Sequence, residues 1–215
     1  MKKILKNNDR WSGQGFTLLE LIIAMSMGLI VLGAMYGALT VQDRNVSLQE
    51  QVAEMQQNAR AGMEIMLREI MMAGYNPQKT ISIGAQPGIT TASANALGFV
   101  ADLNANGNTT ADTANPNENI LYNVYDAAGV PCLGRTSNGS TQVMVQNIES
   151  WTFAFYDRDG NLLSSSPAVT EIKKIQVSLT ARTAKPDPQY TDPGQGDHYR
   201  RYTLTFSVAP RNIDL

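Results

Sequence analysis

Cysteine and histidine are almost missing from this sequence: Cys132 and His198 are the sole examples of each. One cysteine excludes an intrachain disulfide and a cysteine-built metal cage, so any folded domain must be held by hydrogen bonding and core packing. Cys132 itself reads first as a small apolar residue, with an intermolecular bridge or a reactive thiol as the alternative. One histidine excludes a histidine-based zinc site. A Ser/His/Asp triad would have to use His198, which stands at a loop-to-strand boundary without a nucleophile signature, and no G-x-S-x-G elbow, P-loop or dinucleotide glycine pattern occurs. No enzymatic activity is expected. Basic residues are not in excess either: 17 Lys and Arg face 19 Asp and Glu, a net charge of −2. That balance leaves no footprint for nucleic acid. Proline is absent from residues 16–76, so nothing forbids one long helix there.

What is present is unevenly placed. Residues 1–15 hold Lys2, Lys3, Lys6 and Arg10 against Asp9, a net +3, which leaves −5 on the rest. Phe16–Tyr36 then runs for 21 residues with one charge, Glu20. As a helix it would be about 31 Å long, matching a bilayer core of about 30 Å. The positive-inside rule puts residues 1–15 in the cytoplasm and the C-terminal body across the membrane. A secretory signal is cut after its apolar region, at small residues. Here the small residue precedes it, at Gln14-Gly15-Phe16.

The string Gly15-Phe16-Thr17-Leu18-Leu19-Glu20-Leu21 resembles the processing motif of type IV prepilins. That resemblance implies that a prepilin peptidase cuts between Gly15 and Phe16 and N-methylates Phe16, leaving the apolar helix on the mature chain. It also implies a role for Glu20. A carboxylate within an apolar span costs about 2.5–3.5 kcal/mol, so it ordinarily has a partner; in this family the partner is the terminal amine of a neighbouring subunit. The alternative is a Glu near the interface that snorkels to the surface. Gly33 and Gly37 are spaced as G-x-x-x-G, with Gly28 one turn further back, which suits either close helix packing or local softening.

Between Val41 and Met72 the apolar pattern becomes one-sided. Leu48, Val52, Met55, Ala59, Gly62, Met66 and Ile70 recur at steps of four and three, a helical stripe with polar residues on the other faces. One helix of about 55 residues is expected, ending near Gly74 with Pro77 beyond. That length exceeds what a globular core covers, so half must project. Met55, Met63, Met66, Met71 and Met72 read as adaptable core filling rather than as metal ligands. The stretches Gln57–Arg60 and Ala73–Tyr75 resemble PilW-like minor pilins.

Beyond residue 76 the helical period vanishes and short β-rich runs alternate with turns: Ala96–Val100, Ile120–Tyr125, Gln142–Ile148, Trp151–Tyr156, Ile172–Ala181 and Tyr199–Val208. Asp157-Arg158-Asp159-Gly160-Asn161 reads as a tight hairpin turn. Ile175, Val177 and Leu179 alternate with polar residues, as do Tyr202, Leu204, Phe206 and Val208, so each run predicts a strand with one buried face. The expected class is α+β, an antiparallel sheet laid on the amphipathic helix. The Ile148–Asp159 and Val177–Arg182 stretches and the final Ala209-Pro210-Arg211-Asn212 resemble PilW-like or J-type pseudopilin chains.

One loop carries candidate ligand chemistry. Asp102-Leu103-Asn104-Ala105-Asn106-Gly107-Asn108 sets side-chain oxygens at alternate positions and a glycine after the third, the opening of an oxygen-cage calcium loop. Position 12 of that template is Thr113 rather than Glu, and the flanks are not helical, so this is not an EF-hand. Asp112 or Glu118 would supply the later carboxylate. The alternative is an Asn/Gly-rich loop capping itself. The 14 residues of Lys185–His198 exceed a usual hairpin connection and read as either a partner-contacting loop or a floppy one.

The division expected is therefore a cleaved leader (1–15), a transmembrane and filament-core helix (16–40), an amphipathic half (41–75) and a β-rich head (76–215). The resemblance implies the type IV pilin fold and a minor pilin that helps to initiate or cap a pilus or pseudopilus. Its implied partners are other pilin subunits, met through the N-terminal helix, a prepilin peptidase and an inner-membrane assembly platform. The chain would sit in the inner membrane with its leader cytoplasmic and its head periplasmic, and then reach the pilus or cell surface. Two alternatives stay open: the major subunit of such a filament, and an uncleaved anchored protein with a ligand-binding, calcium-dependent head.

Overall fold

The computed structural model describes residues 15–77, 88–109, 117–137 and 139–212. The leader before Gly15, together with Asp112 and Thr113, lies outside them. Helix α1 spans Leu18–Met71, 54 residues, close to the length and both ends that the pattern predicts. Its end tightens into i→i+3 bonds, from Met72 N–H to Glu69 C=O (3.0 Å) and from Ala73 N–H to Ile70 C=O (3.1 Å). Gly74 follows at φ +78°, the left-handed stop that glycine adopts most readily. The chain divides into two compact units, residues 1–47 and residues 48–215.

In the first unit α1 is bare: residues 15–43 are all exposed. In the second unit the stripe is buried at Met55, Ala59, Gly62, Met63, Met66 and Ile70. Leu48 and Val52 are half-covered. Of the five methionines, Met55, Met63 and Met66 are core, Met71 packs against it, and Met72 faces out.

Among the described residues eight strands follow, in two antiparallel sheets rather than the one sheet expected. The first is a meander of β1 (Ile89–Ser93), β2 (Ala96–Val100), β3 (Asn119–Ala127), β4 (Val130–Ser137) and β5 (Ser140–Gln146). The second holds β6 (Ile148–Tyr156), β7 (Lys174–Arg182) and β8 (Arg201–Val208). Asn147 alone separates β5 from β6, and its φ of +59° breaks the ladder and starts the second sheet. The β3–β4 turn is Ala128-Gly129, both at positive φ, as a two-residue hairpin with right-twisted strands demands.

Strands β1 and β4 are not foreseen by the sequence pattern. β4 contains Pro131 and Gly134, residues depleted in strands, and β1 is mostly small and polar. After β6 the Asp157–Asn161 turn forms, with Asn161 N–H bonded to the Asp157 carboxylate (2.8 Å). It closes on a single bridge, Tyr156 to Leu162, not on a full hairpin, and a 3-10 turn at Val169–Glu171 precedes β7. In β7 the alternation holds without exception: Ile175, Val177, Leu179 and Ala181 are buried. In β8 it fails at Phe206, which is exposed, because β8 is the outer strand and has a neighbour on one side only.

The helix stripe and the inner faces of both sheets share one core, in which Leu97, Tyr122, Leu133, Phe155, Ile175 and Leu179 are fully covered. Each such side chain contributes about 1.5–3 kcal/mol by leaving water, which lets this unit fold without a disulfide. The free Cys132 is buried in β4 and donates to the Val130 carbonyl.

Candidate functional site

The N-terminal candidates lie where the chain enters α1. Gly15, Phe16 and Thr17 precede the helix and are exposed. Thr17 is the N-cap: Glu20 N–H donates to the Thr17 hydroxyl oxygen (3.2 Å). In return the Thr17 N–H and hydroxyl both donate to the Glu20 carboxylate (2.9 Å each). This is a reciprocal capping box, T-x-x-E before an apolar run. The T-x-x-E spacing stands in the sequence, where it signals a role for Thr17 beside that of Glu20. The capping box explains how one charge is tolerated at this end, since the carboxylate accepts the Thr17 N–H and hydroxyl and sits at the positive end of the dipole.

The next turns are a continuous apolar surface. An 18-residue window of α1 reaches a mean hydropathy of 2.3, long and apolar enough to cross a membrane. A Cβ placed on Gly28, Gly33 or Gly37 would meet nothing within 4 Å among the described residues. No described contact within the subunit therefore requires glycine at these three positions.

The second candidate is the Asp102–Asn108 loop, which leaves β2. The structure brings Asp102, Asn104, Asn106 and Asn108 onto one tight coil, while Asp112 lies outside the described residues. Asp102 is fully buried, and its two oxygens accept the N–H groups of Asn106 and Gly107 (3.1 Å each). The Asn104 side chain accepts from Asn106 N–H (2.9 Å), and that of Asn106 accepts from Asn108 N–H (2.7 Å). Glu118, also fully buried, accepts from Leu103 N–H (3.0 Å) and Asn104 N–H (3.2 Å).

The Lys185–His198 loop is tied down rather than floppy. Arg201 on β8 holds Asp197 (2.6 Å), Asp192 (3.2 Å) and Glu149 of β6 (2.5 Å). Arg200 pairs with the buried Asp187 (2.9 Å) and lies over the Tyr190 ring. Hydrogen bonds from Arg201 hold the Asp197 carboxyl down to about 2. The His198 ring contacts the Tyr190 carbonyl, and among the described residues no hydroxyl or thiol is bonded to it. A charged cluster of this density is not visible from spacing alone, because its acids come from the loop and from β6.

Residues 13–36 match the prokaryotic N-terminal methylation motif. Among solved structures, a type IV-like pilin from Thermus thermophilus is similar over 74% of this chain and 97% of that one, at 10% identity and a TM-score of 0.44. No curated protein matches the chain. The methylation motif thus stands at the head of one long apolar-to-amphipathic helix that is followed by antiparallel sheets.

Proposed function

We propose that the chain is a minor pilin of the PilW-like kind, cut between Gly15 and Phe16, N-methylated at Phe16, and used to start or cap a pilus or pseudopilus. The observation that carries this reading is the motif over residues 13–36 together with the bare apolar surface that continues from it. Such a surface is unfavourable in water by about 25 cal/mol per Å², so it belongs in lipid or against other helices. The role is structural rather than catalytic. The precursor would wait in the inner membrane as a single span, with its leader cytoplasmic and its head periplasmic, until an assembly platform moves it into the filament.

Processing exposes a cationic amine at Phe16, less than one and a half helical turns from Glu20. Within one subunit the carboxylate is already bonded to Thr17, and the two oxygens retain lone pairs for a second donor. The amine of a neighbouring subunit neutralises that charge when both enter an apolar filament core. The bare glycines of α1 suit close approach between helices.

Intact-mass measurement of membrane-extracted protein tests the processing step. Loss of residues 1–15 with one added methyl group is expected; a mature chain still beginning at Met1 overturns it and favours an anchored, uncleaved protein. Glu20→Ala and Glu20→Gln should then leave cleavage intact and lower incorporation into filaments at least about tenfold, as loss of one buried charge pairing of 1.4 kcal/mol or more requires. Quantifying the chain against the other subunits of purified filaments separates the minor role from the major one, since a stoichiometric shaft subunit contradicts the minor role.

A further inference from the structure

We propose that the Asp102–Asn108 loop and Glu118 together form a calcium site on the head, independent of how the N-terminus is processed or assembled. The loop alone would not justify this, because its internal hydrogen bonds suit a self-capped turn equally well. The decisive observation is Glu118. Its side chain is 0% exposed, one oxygen (Oε1) is held by two loop N–H groups, and the other (Oε2) has no hydrogen-bond partner among the described residues. An ionised carboxylate oxygen buried without a partner is strongly unfavourable, so such an atom points to a cation.

Charge leads to the same place. Asp102 is also 0% exposed, and the ion pairs of Arg68, Arg135, Arg200 and Arg201 among the described residues all run to other acids. Two carboxylates match the charge of one divalent ion. Their donors leave room for it: each Asp102 oxygen accepts one N–H and keeps a lone pair, and Glu118 Oε2 keeps both. Among the described residues no third carboxylate, histidine or cysteine joins them, so the remaining ligands are amide and main-chain oxygens of Asn104, Asn106 and Asn108. All-oxygen donors on an irregular loop suit calcium, which accepts six to eight ligands at variable geometry; magnesium requires a near-ideal octahedron.

Gly107 stands at φ +80°, the sixth-position turn of an oxygen-cage loop. Glu118 takes the part of the distal acid that such loops place at position 12. It reaches back because Ala101 N–H is bonded to the Glu118 carbonyl (2.9 Å), which seats the start of β3 beside the start of the loop. With only two charged ligands, the site falls in the weak class of extracellular modules, with Kd on the order of 10⁻⁴–10⁻³ M.

The test is calorimetric titration of the detergent-solubilised full chain with calcium chloride, beside thermal unfolding in EDTA and in calcium. Calcium should bind in that range and raise the unfolding midpoint. Glu118→Gln and Asp102→Asn should each weaken binding roughly tenfold or more, since ligand charge sets the affinity of such cages. In EDTA, Glu118→Gln should unfold no earlier than the parent, because the unpaired buried charge is gone. No heat and no midpoint shift at about 10 mM calcium, well above the expected Kd range, overturns the proposal. So does parental affinity in Glu118→Gln, or an equal response to magnesium.

Discussion

Gly62 shows how one missing methyl group sets helix-to-sheet distance. It lies on the buried stripe of α1, and a Cβ there would approach the Val145 Cγ2 atom of β5 to 2.3 Å. Alanine is the better helix former by about 1 kcal/mol, but forcing a methyl into a packed contact costs about 1–3 kcal/mol. Val145 is β-branched and cannot rotate away freely. The clash therefore outweighs the propensity, and Gly62→Ala should lower the urea midpoint. Gly62→Ala with Val145→Ala should lose less than the two single changes summed, because the second substitution removes the obstructing atom. A more stable Gly62→Ala chain would show that the sheet yields. Periodicity identifies position 62 as inward-facing, but it does not show that glycine is needed, since the contact comes from a residue far along the chain.

Between elements, the polar clamp from α1 to the first sheet was invisible to pattern reading. Glu69 accepts from Arg135 of β4 at 2.8 Å and from the hydroxyl of Tyr122 on β3, and Arg135 also donates to Asn117 (2.9 Å). No local motif links these residues, whereas the strict alternation of β7 exposed its buried face at once. Strands β1 and β4 are illegible in the sequence for a related reason: their backbone pairing with β2, β3 and β5 overrides weak local preference. The clamp has a pH signature. Burial first, and then the Glu69 charge, push the Tyr122 hydroxyl well above its ordinary value of 10.0. Above about pH 10 the unfolded chain releases this proton while the folded chain keeps it, so stability is constant below that point and falls as pH rises beyond it. Tyr122→Phe should be less stable near neutral pH by about 1.5–3 kcal/mol, for loss of a bond to a charged group, yet show a flatter alkaline decline. Unfolding midpoints between about pH 8 and 12 check this; parallel declines would remove Tyr122 from the account.

At the scale of the whole molecule, two different solvents are written into one helix. Residues 15–43 present apolar side chains to the outside, and from Met55 onward the same helix turns its apolar stripe into a shared core. The change was legible because it alters composition and period together: an unbroken apolar run gives way to steps of three and four. The number of sheets was not legible, because a single left-handed residue, Asn147, divides them. The compact unit of residues 48–215 contains the stripe, both sheets and every buried residue of the core. A chain beginning at Leu48 should therefore remain monomeric without detergent and unfold in one cooperative transition, since no described residue before Leu48 belongs to the core. Its α1 remnant, Leu48–Met71, is held by packing rather than by propensity, so helical circular dichroism should vanish in the same transition as near-ultraviolet signals from Trp151. The full chain should need detergent or lipid at the same concentration. If the shortened chain aggregates, or if its helix melts before the sheets, the first 47 residues stabilise the head itself and are more than an anchor.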